Sequence, residues 1–179
     1  MKILVLTGSP HKKGTTALLA DEYCQAAEEA GHTVHRFNTA FMQIQPCTGC
    51  DHCRKSDDSD CIFRDDMQSI LPHLLDADAV VLVSPLYYFA FTAQLKNVID
   101  RFYEVNDKLQ KNPKQLQMIV AGADTDEWAM DGVKAHYQCL CRYLNWEDRG
   151  MVLAYGCGTR EEAKQSKYVK DVTKLVQNL

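Results

Sequence analysis

Two groups of residues in this sequence are of types and spacings that do chemistry. The first is a cysteine run, Cys47, Cys50, Cys53 and Cys61, spaced C-x2-C-x2-C-x7-C. Thiolates bind soft metals and exchange electrons. Three of them two residues apart can wrap one corner of a cubane cluster, and a fourth can return after a short loop, as in ferredoxin-type runs. Structural zinc favours two separated C-x2-C knuckles. Free thiols, or a disulfide formed in air, are the plain alternative.

The second group is Gly8-Ser9-Pro10-His11-Lys12-Lys13-Gly14-Thr15-Thr16. It lies between an apolar run, Ile3 to Leu6, and a helical pattern. The first amides of a helix have no intrahelical acceptor, and the helix dipole places partial positive charge there. Ser9, Thr15 and Thr16 add hydroxyl donors, and Gly14 permits close approach of backbone. This composition suits a phosphate. It equally reads as an ordinary βα turn with Thr15 as N-cap. Neither GxGxxG nor GxxxxGK[ST] is present, so dinucleotide and P-loop triphosphate binding are not indicated.

The elements that must position these groups alternate along the chain. Strands are expected over residues 2–7, 33–38, 79–84, 117–121 and 151–155. Helices are expected from about Thr15 to Ala30, from Asp65 and Asp66 past Leu75, over Thr92–Glu104, over Met130–Asn145 and over Glu161–Gln177. Gly31 stands where a C-cap glycine belongs, and Pro72 is a poor fit for a helix interior. Residues 39–64 form a long irregular stretch around the cysteines, and a loop of that length is usually functional. Five strand–helix alternations give an α/β doubly wound parallel sheet in order 2-1-3-4-5, with helices on both faces. Ligands of such sheets bind outside the carboxyl ends of the strands, at the switch point between strands one and three. The turns after strands one, three and four converge there: the hydroxyl-rich loop, Pro85-Leu86-Tyr87-Tyr88-Phe89, and Ala121 with Gly122, Ala123 and Asp124. A phosphate cradle facing an aromatic wall suits a flat aromatic cofactor with a phosphate tail.

Composition bounds the function. The 179 residues are 46% hydrophobic and 25% charged, as expected of one globular domain spanning 1–179. A net charge of −4 argues against nucleic-acid or anionic-membrane partners. Met1-Lys2 runs straight into a strand, so no secretory leader is expected, and Ser84 and Pro85 interrupt the longest uncharged run. Eight cysteines in an expected cytoplasmic protein suggest metal or redox chemistry rather than structural disulfides.

Taken together, these residues resemble the flavodoxin-like NAD(P)H-dependent FMN reductases, and most of all their iron–sulfur flavoprotein branch. The resemblance rests on the 8–16 loop, on Cys47-Thr48-Gly49-Cys50-Asp51-His52-Cys53 with Cys61, and on Asp65-Asp66-Met67. It continues through Ala77-Asp78-Ala79 to Tyr88 and through Leu95-Lys96-Asn97-Val98-Ile99-Asp100-Arg101. It implies a flavodoxin-like three-layer sandwich with FMN as cofactor. The FMN phosphate would lie on Ser9, His11, Gly14, Thr15 and Thr16, and the ring system against Pro85–Phe89 and Gly122–Asp124. It further implies NAD(P)H as co-substrate, a quinone, flavin or other small electron acceptor, and a homodimer. The iron–sulfur branch implies a [4Fe–4S] cluster on the four cysteines and a ferredoxin-like donor. Two positions depart from the family: His11 stands where Arg is common, and Thr15 where Asn is common.

Other residues carry competing readings. Tyr87, Tyr88 and Phe89 are a flavin wall or core aromatics, but three in a row cannot all point inward. Lys96, Asp100 and Arg101 read best as structural ion pairs or caps. The helix over 92–104 is apolar on more than one side, so it needs a second cover, for which a partner copy is expected. His52, His73 and His136 read as surface or packing residues. Trp128 borders the flavin or packs a surface loop. No Ser–His–Asp, HExxH or paired-carboxylate arrangement stands out. Three functions follow: an FMN-dependent oxidoreductase working ping-pong through one shared site, an iron–sulfur flavoprotein electron carrier, or a non-enzymatic thiol or zinc redox sensor.

Overall fold

The computed structural model describes residues 1–55 and 60–179. Its elements are β1 (Lys2–Thr7), α1 (Thr15–Glu29), β2 (Thr33–Asn38), α2 (Met67–Asp76), β3 (Ala79–Pro85), α3 (Ala93–Asp100), α4 (Asn106–Lys111), β4 (Gln115–Ala121), α5 (Asp131–Leu144), β5 (Glu147–Ala154), α6 (Arg160–Gln165) and α7 (Tyr168–Leu175). The strands form one parallel sheet in the order β2-β1-β3-β4-β5. This is the expected topology.

The period-2 alternation of each central strand sorts its side chains between two cores. Ile3 and Val5 of β1, with Val81 and Val83 of β3, face α1 and α7. Leu4 and Leu6, with Val80 and Leu82, face α2, α3 and α5. Both faces are covered, which explains the unbroken apolar runs of β1 and β3. One polar side chain interrupts the first core. Gln117 of β4 is buried, but Tyr23 donates to its Oε1 at 2.6 Å and its Nε2 donates to the Leu175 carbonyl at 2.7 Å. Gly31, at φ +85°, ends α1 as expected. Its amide donates to Glu28 and the His32 amide donates to Ala27, the paired bonds of a Schellman motif.

Several boundaries differ from the sequence reading. The 92–104 helix is α3 followed by a 3-10 segment, Arg101–Val105, and then α4. β5 starts four residues earlier than the apolar run, because Glu147 and Asp148 at its mouth are exposed. The last helix is split at Ser166, whose Oγ donates to the Ala163 carbonyl and accepts from the Tyr168 amide. A serine that satisfies both ends stops one helix and starts the next. Pro72 sits inside α2 without interrupting it.

The second cover of α3 is the chain itself. Leu95, Val98, Ile99 and Phe102 are all buried in one core with Ile44. Asn97 Nδ2 donates to the Ile44 carbonyl at 3.3 Å, seating the start of the cysteine loop on the helix. The two-sided apolarity of α3 is therefore used up within one chain, and Val98 offers no surface to a partner copy.

Candidate functional site

The crevice begins with a close contact. The Gly8 amide donates to Val83 at 2.8 Å, and Thr92 Oγ1 donates to the Gly8 carbonyl at 2.8 Å. A Cβ at Gly8 would overlap Thr92 Oγ1 and stand 2.7 Å from Leu95 Cβ. Glycine is required here because the loop after β1 rests directly on the start of α3. Gly8→Ala is expected to cost about 1–3 kcal/mol, the usual penalty for forcing an extra methyl into a packed contact. Chemical denaturation checks it, and a variant as stable as wild type would show that the loop is not held by this contact.

Beyond Gly8 the loop closes on itself. Ser9 Oγ accepts from the His11 amide at 3.1 Å, and the Gly14 amide donates to the His11 carbonyl at 3.0 Å. Gly14, not Thr15, is the N-cap of α1, and no side chain caps the helix. The first amides of a 15-residue helix are thus left without a side-chain acceptor, with buried Ser9 and Thr16 beside them. On the β2 side, a cleft of about 290 Å³ opens against Ser9, His11, Lys12 and Arg36.

The loop after β3 is a two-residue hairpin. Tyr87 and Ala90 exchange both backbone hydrogen bonds at 3.1 Å. Tyr88 and Phe89, at φ +45° and +64°, occupy the two left-handed positions of a type I′ turn that Asn and Gly usually fill. Such a backbone persists only where its surroundings hold it. Here the Phe89 carbonyl fits against Gly132, where a Cβ would stand 2.7 Å away, and the Phe89 ring lies 5.1 Å from that of Trp128. Tyr88 is 98% exposed, so these aromatics are not core residues. Pro85 and Leu86 connect the hairpin to the sheet, Leu86 donating to Ala121 at 2.8 Å.

The loop after β4 closes the far side, and a loop absent from the sequence reading joins it. Gly122 donates to Ala154 and accepts from Cys157, while Asp124 accepts from the Gly156 amide. A Cβ at Gly158 would stand 2.9 Å from that of Ala123. The loop after β5 therefore lies directly on Ala123. The paired glycines, Gly156 and Gly158, were the sequence signal for it. Arg160 follows, and its Nη1 donates to the Gly14 carbonyl at 3.3 Å. Ser9, His11, Gly14, Pro85–Phe89 and Gly122–Asp124, with Thr15 and Thr16 at the start of α1, thus lie at one end of the sheet.

The cysteines lie on another loop, between β2 and α2. Their loop is strapped to one short segment, 101–107. Tyr103 donates to Asp51 at 3.1 Å, Arg54 pairs with Asp107 at 2.9 Å, and Glu104 accepts from the Cys61 amide at 3.0 Å. Arg101, 1% exposed, pairs with Asp65 at 2.9 Å and Glu104 at 3.2 Å, donates to the Gln45 carbonyl, and lies near the Phe63 ring. Burial pushes Asp65 up, but hydrogen bonds from the Gln45 amide, Arg101 and the Met67 amide outweigh it and hold this carboxyl below its usual range. Arg101 is the structural ion pair expected of it, and Lys96 pairs with Asp100 at 2.6 Å. Cys47 and Cys50 are exposed, Cys53 and Cys61 half-buried, and all eight cysteines are free thiols. Burial pushes the Cys53 thiol up, with Cys61, Glu104 and Cys47 adding to the shift. Among the described residues no three His, Cys, Asp or Glu side chains stand close enough to hold a metal ion. As placed, the four thiols do not make a ligand set.

A family model described as NADPH-dependent FMN reductase matches residues 1–142. The chain belongs to this family. Among its relatives, an iron–sulfur flavoprotein of Methanocaldococcus jannaschii is 32% identical over 123 residues, 69% of this chain and 63% of its own. One of Archaeoglobus fulgidus is 37% identical over 101 residues, 56% of this chain and 45% of its own. The chain therefore spans about half to two thirds of the length of these curated relatives. The NAD(P)H:quinone oxidoreductase of Methanothermobacter marburgensis shares the FMN reductase fold at a TM-score of 0.78 and 15% identity, over 99% of this chain and 95% of that one. No helix among the described residues is long and apolar enough to cross a membrane.

Proposed function

We propose that this chain is an FMN-dependent NAD(P)H oxidoreductase. The FMN phosphate sits on the 8–16 loop, held by the α1 amides and by Ser9, Thr15 and Thr16, with His11 and Gly14 shaping the cradle. The ring system lies against Pro85–Phe89 and Gly122–Asp124. When bound, FMN supplies the hydride and electron chemistry. The chain's own residues orient it, and the exposed aromatic hairpin leaves one side open to a nicotinamide and then to a quinone, flavin or other small acceptor. The observation that carries this reading is the uncapped start of α1, aimed into the crevice in a chain of the FMN reductase family. The test is a spectrum of the purified protein, followed by stopped-flow reduction with NADPH and with NADH under argon. A flavin spectrum bleached by NADPH or by NADH supports the reading, and a flavin that both leave oxidised sinks it.

A second reading, an iron–sulfur flavoprotein that accepts electrons from a ferredoxin-like donor, is favoured by the names of the relatives and the strapped cysteine loop. Cys47, Cys50, Cys53 and Cys61 would have to draw together to hold [4Fe–4S]. Anaerobic reconstitution read by iron and sulfide analysis decides it: about four irons per chain, lost in Cys50→Ser, support the cluster. Equal uptake by the mutant leaves the cysteines as thiols. A reducing, cytoplasmic setting belongs to this reading, in which the eight cysteines serve metal or redox chemistry. A homodimer belongs to the same reading, with the exposed rim of Tyr87, Tyr88 and Trp128 as its contact in place of α3. A monomer by sedimentation at micromolar concentration would exclude it.

A further inference from the structure

The 8–16 loop has no guanidinium of its own. Position 11 is His, and Lys12, which lines the cleft beside Ser9, has its Nζ 4.8 Å from the centre of the Phe41 ring. A guanidinium reaches the loop from the far end of the chain instead. Arg160 Nη1 donates to the carbonyl of Gly14, the N-cap residue of α1.

Its position is fixed from behind. Thr159 and Glu162 form a capping box that sets the start of α6: Thr159 Oγ1 accepts from the Glu162 amide at 3.3 Å, and Glu162 Oε2 accepts from the Thr159 amide at 2.8 Å. One residue earlier, Gly158 seats the chain on Ala123. Arg160 belongs to none of the ion pairs among the described residues. A guanidinium carries five donors, and this one spends a single donor on Gly14. This cation, in no ion pair among the described residues, meets the N-cap residue of a helix whose first amides have no side-chain cap, and a phosphomonoester dianion suits both groups in charge and in hydrogen bonding.

We propose that Arg160 is a phosphate-binding residue, supplying from the loop after β5 the guanidinium that the first loop lacks. This rests on the reading of residues 8–16 as the FMN phosphate site. The residue lies outside the stretch, 1–142, that the family model matches. Its consequence is selectivity: Arg160 distinguishes FMN from riboflavin, which has the same ring system and ribityl chain but no phosphate.

The test compares FMN and riboflavin binding, by quenching of flavin fluorescence, in the full-length chain freed of flavin and in Arg160→Gln and Arg160→Lys. Arg160→Gln is expected to weaken FMN about tenfold and leave riboflavin unchanged, the loss of one charge-assisted contact. Arg160→Lys keeps the charge but not the fork, and loses less. Thermal melting of the flavin-free variants should match wild type, because Arg160 is exposed. FMN affinity within twofold of wild type in Arg160→Gln overturns the proposal, and so does an equal loss for both flavins, which would mark a contact serving only the Gly14 backbone. A Ser9→Ala/Thr16→Ala variant keeps the two readings apart. If it loses FMN while Arg160→Gln does not, the loop binds phosphate without Arg160. If neither loses FMN, the loop itself is misassigned.

Discussion

Replacing Arg101 by alanine is expected to remove about 3–5 kcal/mol of stability, the cost of leaving buried charges without their partner. Asp65 and Glu104, both almost as buried as Arg101, would face each other across the vacated space. The same change frees the cysteine loop, because Asp65 also accepts from the Gln45 amide and Glu104 from the Cys61 amide. Urea denaturation measures the first effect, and the rate of thiol alkylation at Cys53 and Cys61 measures the second. A loss under about 1 kcal/mol, the range of an exposed pair, would show that this triad is not the anchor. The pH dependence has a definite sign. Asp65 is held below its ordinary value of 3.8 in the folded chain, so its contribution is fully present above that value. It is lost as pH falls through the lower folded value. Wild type should therefore lose stability on acidification below pH 3.8. Arg101→Ala, lacking one of the bonds that depress Asp65, should show a shallower loss there.

The double variant Ser9→Ala/Thr16→Ala is expected to weaken FMN by at least about a hundredfold. Each hydroxyl removed from a charged acceptor costs about 1.5–3 kcal/mol, and a factor of ten is 1.4 kcal/mol. Both side chains are more than nine-tenths buried beside the start of α1, so water replaces them poorly. Isothermal titration reads the change. Affinity within a factor of three of wild type would mean that the phosphate does not lie on this loop.

The sheet order and the convergence of three loops were legible in the sequence, because central strands of a parallel sheet are apolar throughout and turn residues mark their ends. Gly31 and the Arg101 ion pair were legible for equally local reasons: a left-handed cap, and a charge on an otherwise apolar helix. What was hidden is long-range. Nothing near residue 98 tells that the second apolar side of α3 is covered by Ile44, fifty-odd positions earlier, rather than by another copy. The partners of Arg101, one of them at 65, could not be chosen from among many carboxylates. Arg160 lies 146 positions from the carbonyl it meets. Periodicity also misses Ser166, since a serine that ends and restarts a helix leaves the apolar spacing intact. The start of β5 was missed because its exposed first residues are not apolar.

The fastening of the last loop to the first has a consequence for synthesis. A ribosome delivers the chain from its N-terminus, at about 5–20 residues per second. The first loop emerges before the aromatic hairpin. The loop after β5, which closes on Gly122 and Asp124, emerges well after both, with Arg160 just behind it. A nascent chain therefore displays the hairpin's aromatics for several seconds before its crevice is complete.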